Sequence, residues 1–250
     1  MKQLPNAVTL LNLFLGSVSV VLAIQGFVHY SAIIIGFCSL LDFADGMLSR
    51  VLKAHSALGQ QLDSLADLVS FGLAPSAILY FYMHQAAQPL NPPALQIVLP
   101  FAGFIIAIFA GLRLAIFNID SRQSDSFIGL PTPANAAFFA SLPFVLAFAP
   151  ADGIIYSLVK TITLSMPALM ILVIVFSWLM VSPLVMFSLK IKSLRWHGNQ
   201  IRYVFLALVI ISLLILGIEA VAMIVIFYII LSLANSALSV KKPEPFQTHK

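Results

Sequence analysis

Apolar stretches long enough to cross a bilayer recur along this sequence, at about 8–26, 31–53, 60–83, 95–117, 133–150, 164–189, 202–218 and 220–239. A hydrocarbon core takes about 20 apolar residues per helical crossing. Lipid offers no partner to open backbone groups, so segments of this kind are helical. The expected fold is an all-α polytopic membrane protein of about eight transmembrane helices. Only 9% of the 250 residues are charged and 61% are hydrophobic, which excludes a soluble globular enzyme and a disordered chain. Breakers such as Gln88-Pro89-Leu90-Asn91-Pro92-Pro93 and Gly129-Leu130-Pro131-Thr132-Pro133 separate the stretches. The start reads as direct entry into the first span rather than a cleavable leader.

Charge sets the orientation. With the N-terminus inside, every one of the 13 Lys and Arg except Lys160 falls on or near the inner face. Both termini are then cytoplasmic. The net charge of +4 reflects this bias, and no nucleic-acid partner is expected. Glu219, at the outer end between the last two spans, is expected in solvent.

Four carboxylates break the apolar pattern. Asp42 and Asp45 lie late in the second span, and Asp63 and Asp67 early in the third. A carboxylate at the centre of a span costs about 2.5–3.5 kcal/mol on insertion scales. The i, i+3 and i, i+4 spacings put each pair on one helical face. The short connection makes the two helices antiparallel neighbours, so all four carboxylates should converge near the cytoplasmic surface. Such a cluster suits hard divalent cations with oxygen ligands. Two ions would offset the charge and clamp a phosphoryl group. Arg50 stands ready for a phosphate oxygen, and Gly46 and Gly59 leave the backbone open to a ligand. Two other readings compete: carboxylates paired with nearby Lys and Arg, and a proton-coupled or divalent-cation transporter. Transport sites sit near the bilayer midplane at broken helices. A cluster at one face, beside basic residues, favours chemistry on a phosphate-bearing lipid headgroup.

The run Asp42-x2-Asp45-Gly46-x2-Ser49-Arg50-x8-Gly59-x3-Asp63-x3-Asp67 resembles the signature of the CDP-alcohol phosphatidyltransferases. Ser49 stands where that family usually has alanine. The resemblance implies a six-helix core over residues 1–190, two additional transmembrane helices over 191–240 and a cytoplasmic tail over 241–250. It implies an enzyme that joins a CDP-linked lipid to an alcohol and releases CMP. It also implies that Asp42, Asp45, Asp63 and Asp67 hold two divalent metal ions, Mg²⁺ or Mn²⁺, with Asp67 also the general base. Gly46, Ser49, Arg50 and Gly59 would line the cytidine diphosphate site. Asn6 and Thr9, in a Pro5-Asn6-x2-Thr9 run similar to the family's N-terminal pattern, would reach the nucleotide or else serve the helix start.

Three runs resemble the family's serine-using branch: Leu62–Ser76, Gly111–Asn118 and Phe127–Asn135. Ile116 stands where that branch usually has arginine. The implied substrates are CDP-diacylglycerol and L-serine, the product phosphatidylserine. Glycerol phosphate, inositol phosphate and choline remain alternative acceptors. Arg113, Asn118 and Arg122 are candidates for the acceptor's carboxylate or for phosphate, against simple inner-face charge and helix capping. Ser70 is a candidate contact for the alcohol, against helix packing. The resemblance further implies a homodimer among membrane lipids, in the inner membrane of a bacterial or archaeal cell, with the site facing the cytoplasm.

Overall fold

The computed structural model describes residues 3–53, 56–120, 127–187 and 199–238. The expected tail 241–250 lies outside them. The first helices are α1 (Leu4–Ile24), α2 (Val28–Val51), α3 (Ala57–Asp67) and α4 (Ala74–Ala87), the last two joined by a π-helical segment, Leu68–Leu73. A short α5 (Pro93–Val98) runs through a 3-10 segment, Leu99–Phe104, into α6 (Ile105–Ile119). There follow α7 (Thr132–Phe148), α8 (Ile154–Thr163), α9 (Met166–Val181), α10 (Gln200–Leu216) and α11 (Val221–Leu238). Two-residue strands β1 (Phe127–Ile128) and β2 (Val185–Met186) pair antiparallel. Among the described residues the protein is all-α apart from that bridge, and its long apolar helices make it an integral membrane protein.

By length and apolar composition five helical runs are able to cross a membrane: Leu4–Ile24, Val28–Val51, Ala57–Ala87, Pro93–Ile119 and Gln200–Ser236. The pair α8–α9, bent by 93°, makes a sixth if it counts as one span. The expected eight are not reached on this measure. α7 has 17 residues, and the last two expected spans fall in one run of 37. That run nevertheless doubles back. The rings of Phe205 on α10 and Tyr228 on α11 lie 6.1 Å apart, whereas a straight helix would separate them by about 35 Å. The reversal falls at Gly217, whose φ is +56°.

α1 is built inside-out relative to a helix of a soluble protein. The buried face of α1 is Pro5, Thr9, Asn12, Gly16, Ser19 and Ala23, a stripe of small and polar residues at alternating spacings of four and three. Small residues let helices approach closely where lipid supplies no hydrophobic drive. A Cβ on Gly16 would sit 2.3 Å from Ser70 Oγ. Ser70 itself donates to the Asn12 backbone oxygen at 3.2 Å and side-chain Oδ1 at 2.9 Å. Helix packing thus accounts for Ser70, and no acceptor contact is needed. Large apolar side chains point outward, among them Phe14, Leu40, Phe43 and Ile108.

Glu219 departs from expectation. It is buried rather than solvated, and its carboxylate accepts from the backbone N–H of Ile155 at 3.3 Å and of Tyr156 at 3.1 Å. These are free donors at the start of α8, where helix polarity favours an anion. The C-terminal hairpin is thereby fastened to the start of α8. α8 itself lies outside every expected span.

Candidate active site

α2 and α3 place the carboxylates. α3 starts at Ser56, whose Oγ accepts from Gly59 N at 3.0 Å, a side-chain cap that fixes where the helix begins. Oxygens of Asp42, Asp63 and Asp67 then lie within 4.8 Å of one another. One oxygen of Asp67, Oδ1, is buried and has no hydrogen-bond partner. Three converging carboxylates, one with an unpaired buried oxygen, fit the donor set of a hard divalent cation. The Arg50 Nε donates to the Gly46 backbone oxygen at 2.9 Å, and Arg113 acts electrostatically on Asp67.

The fourth carboxylate is held differently. Asp45 is buried, and its Oδ2 accepts from Thr9 Oγ1 at 2.7 Å. Thr9 also lies 3.0 Å from the Pro5 oxygen. A hydroxyl has one proton, and the shorter approach to an anion is the stronger bond. The expected convergence of four thus becomes a cluster of three with Asp45 beside it, oriented by Thr9. This contact joins residues 36 positions apart, and no spacing rule announces it. Replacing Thr9 by valine keeps the shape and removes the donor. Loss of a partner that orients a ligand costs about 10–100-fold in metal affinity or activity. We expect Thr9→Val to fall in that range and Thr9→Ser to restore it, read as metal-dependent turnover. An unchanged Thr9→Val would reduce Thr9 to packing.

A cavity of about 810 Å³ adjoins the cluster. Its walls include Asn6, Thr9, Asp45, Gly46, Ser49, Arg50, Gly59 and Asp63. All the residues expected around a cytidine diphosphate therefore share one space. A Cβ on Gly46 would meet nothing within 4 Å, so that glycine widens the space rather than making a tight contact. Phe117 of α6 closes one side, a wall the sequence did not single out.

The candidates for the acceptor separate. Arg113 is buried. Its Nη1 donates to Thr132 Oγ1 at 3.4 Å, its guanidinium lies 5.8 Å from the Phe117 ring centre, and it interacts electrostatically with Asp67. Asn118 instead donates to Ser64 Oγ at 2.8 Å on the exposed side of α3 and is not among the cavity walls. Arg122 lies outside the described residues.

The loop before α7 is clamped to the end of α9. Gly129 N donates to the Leu184 oxygen at 2.8 Å and Leu130 N to the Leu179 oxygen at 2.9 Å. This clamp sets Thr132 at the start of α7, opposite Arg113.

Comparison with known proteins agrees with this geometry. The family model for CDP-alcohol phosphatidyltransferase matches residues 2–162. A Bacillus subtilis protein named CDP-diacylglycerol–serine O-phosphatidyltransferase is 35% identical over 137 residues, covering 53% of this chain and 71% of that one. Proteins of the same name from Helicobacter pylori strain J99 (36% over 134 residues) and Saccharomyces cerevisiae (35% over 160 residues) are also similar. Those matches cover 53% and 57% of this chain, and 53% and 54% of the relatives, so the chain spans about half their length. The match covers the cavity walls and the three-carboxylate cluster alike, and the chain belongs to the CDP-alcohol phosphatidyltransferase family.

Proposed function

We propose that this protein transfers the phosphatidyl group of CDP-diacylglycerol to the hydroxyl of L-serine, giving phosphatidylserine and CMP. The observation that carries the reading is the sharing of Asp63 between the signature-lined cavity and the carboxylate cluster. A nucleoside diphosphate in the cavity places its phosphates beside the cluster, with Arg50 and the open backbone at Gly46 on the same wall. The serine acceptor is supported by the names of the curated relatives.

In this mechanism the serine oxygen attacks the phosphorus that bears diacylglycerol. The P–O bond to CMP breaks, and the hydroxyl proton passes to Asp67, whose Oδ1 is free to accept it. Two divalent ions, Mg²⁺ or Mn²⁺, held by Asp42, Asp63 and Asp67 with Asp45 adjoining, would withdraw charge from the phosphoryl and leaving oxygens. Thr9 holds Asp45 in place, and Asn6, Ser49 and Gly59 shape the nucleotide pocket. Residues 1–190 form the catalytic core, 191–240 add two helices, and 241–250 form a cytoplasmic tail. The protein works as a homodimer in a bacterial or archaeal inner membrane, its site open to the cytoplasm and to the bilayer, since CDP and serine are water-soluble and the acyl chains are not.

The test is CMP release by purified protein in detergent with CDP-diacylglycerol and Mn²⁺. L-serine is compared with glycerol 3-phosphate, inositol phosphate and choline. We expect release that depends on serine and on metal. Ile116, in place of the branch's usual arginine, is the residue that favours another acceptor. Release with a different alcohol alone would transfer the reading to that acceptor. No release from folded protein, with ion flux in sealed vesicles, would favour transport instead.

A further inference from the structure

Asn135 on α7 is fully buried, and neither its Oδ1 nor its Nδ2 has a hydrogen-bond partner. Buried side-chain amides are nearly always paired, so an orphan of this kind calls for a reason. Four other buried side-chain atoms among the described residues share the condition: Ser177 Oγ, Ser232 Oγ and, on residues that can be traced to Asn135, Arg113 Nε and Asp67 Oδ1. Asn135, Arg113 and Asp67 are linked. Thr132, bonded to Arg113, shares an α7 face with Asn135 one turn away. Arg113 in turn lies in the field of Asp67. The unpaired set therefore holds an anionic oxygen, a guanidinium edge and an amide that offers both a donor and an acceptor.

We propose that Asn135 determines acceptor specificity. With Arg113 and Thr132 it forms a subsite for an α-amino acid zwitterion. Asn135 Oδ1 accepts from the ammonium, while its Nδ2 and Arg113 Nε donate to the carboxylate. The acceptor hydroxyl is thereby turned toward Asp67. This rests on the serine reading above and goes beyond it by naming what recognises the amino acid. The chemistry separates serine from the rival alcohols. A phosphate-bearing alcohol offers the amide oxygen a neutral hydroxyl but no ammonium, and it brings a phosphate where the carboxylate would bind. Choline has no N–H and no carboxylate.

Asn135→Leu keeps approximate size and removes both polar atoms. The experiment measures the dependence of CMP release on L-serine, on ethanolamine (no carboxylate) and on 3-hydroxypropionate (no ammonium). We expect the KM for serine to rise at least tenfold. The KM for CDP-diacylglycerol should stay within twofold. The preference for serine over both analogues should narrow, a change that loosened packing alone would not produce. If Asn135→Leu fails to fold, Asn135→Asp, equal in shape, serves instead. It keeps an acceptor for the ammonium and sets an anion against the carboxylate, so serine KM should again rise at least tenfold. A serine KM within twofold of the wild type in a folded variant overturns the proposal alone. A wild type that releases no CMP with serine overturns it together with the serine reading, and that outcome is seen before any variant is made.

Discussion

Asp67→Asn should lower CMP release by at least about 10³-fold while leaving the helices in place. A positioned general base contributes about 10²–10⁴-fold, and Asp67 is also one of the three carboxylates whose oxygens meet within 4.8 Å. The substitution is isosteric and breaks no hydrogen bond at Oδ1, which has none to lose. It also removes one of several mutually repelling charges from a low-dielectric setting. Without metal, the thermal midpoint in detergent should therefore hold or rise. The further rise that Mn²⁺ brings to the wild type should shrink. Lost turnover with undiminished apo stability separates a chemical role from a structural one. A variant that keeps a tenth of the activity would remove Asp67 from the chemistry.

Gly129→Ala should be the most damaging small change outside the carboxylates. Gly129 has φ +75°, and a Cβ there would lie 2.2 Å from the Met180 backbone oxygen. The left-handed backbone alone costs an alanine about 1–2 kcal/mol, and a contact that short forces the loop off α9. The paired backbone bonds to Leu184 and Leu179 are what would give way. We expect the thermal midpoint to drop by at least about 5 °C. Because the same loop sets Thr132 against Arg113, serine KM should rise as well. A midpoint within a degree of the wild type would show that the loop can leave α9 freely.

The fold class and the placement of the signature were legible because both rest on local pattern. Apolar runs announce helices, and i, i+3 or i, i+4 spacing announces a shared face. Asp42, Asp63 and Asp67 meet as their spacing implies. What stayed hidden depends on which helix lies against which. Thr9 reaches Asp45, Asn12 meets Ser70, and Glu219 caps α8 across 63 residues. The stripe from Pro5 to Ala23 marked the interior face of α1, but in a chain this apolar the small residues, not the large ones, carry that signal. The count of eight spans is not confirmed, for a related reason. Helix length and apolar composition join α10 and α11 into one run although the chain reverses between them, and they leave the pair bent by 93° as one span or none.

The π-helical turn Leu68–Leu73 begins immediately after Asp67. Each residue of an α-helix turns the chain by about 100°, and a wider turn of this kind absorbs a residue that a regular helix would not hold. The compass bearing of Asp63 and Asp67 relative to Ala74–Ala87 is therefore set by chain length through that turn. Winding the same six residues as a regular α-helix would swing the carboxylates about a quarter-turn away from Asp42. Deleting one residue there is offset by regular winding and leaves their bearing in place. In this helix the aim of the chemistry is held by the wide turn itself, and it would be lost by a regularised helix of unchanged length that still carries every functional side chain.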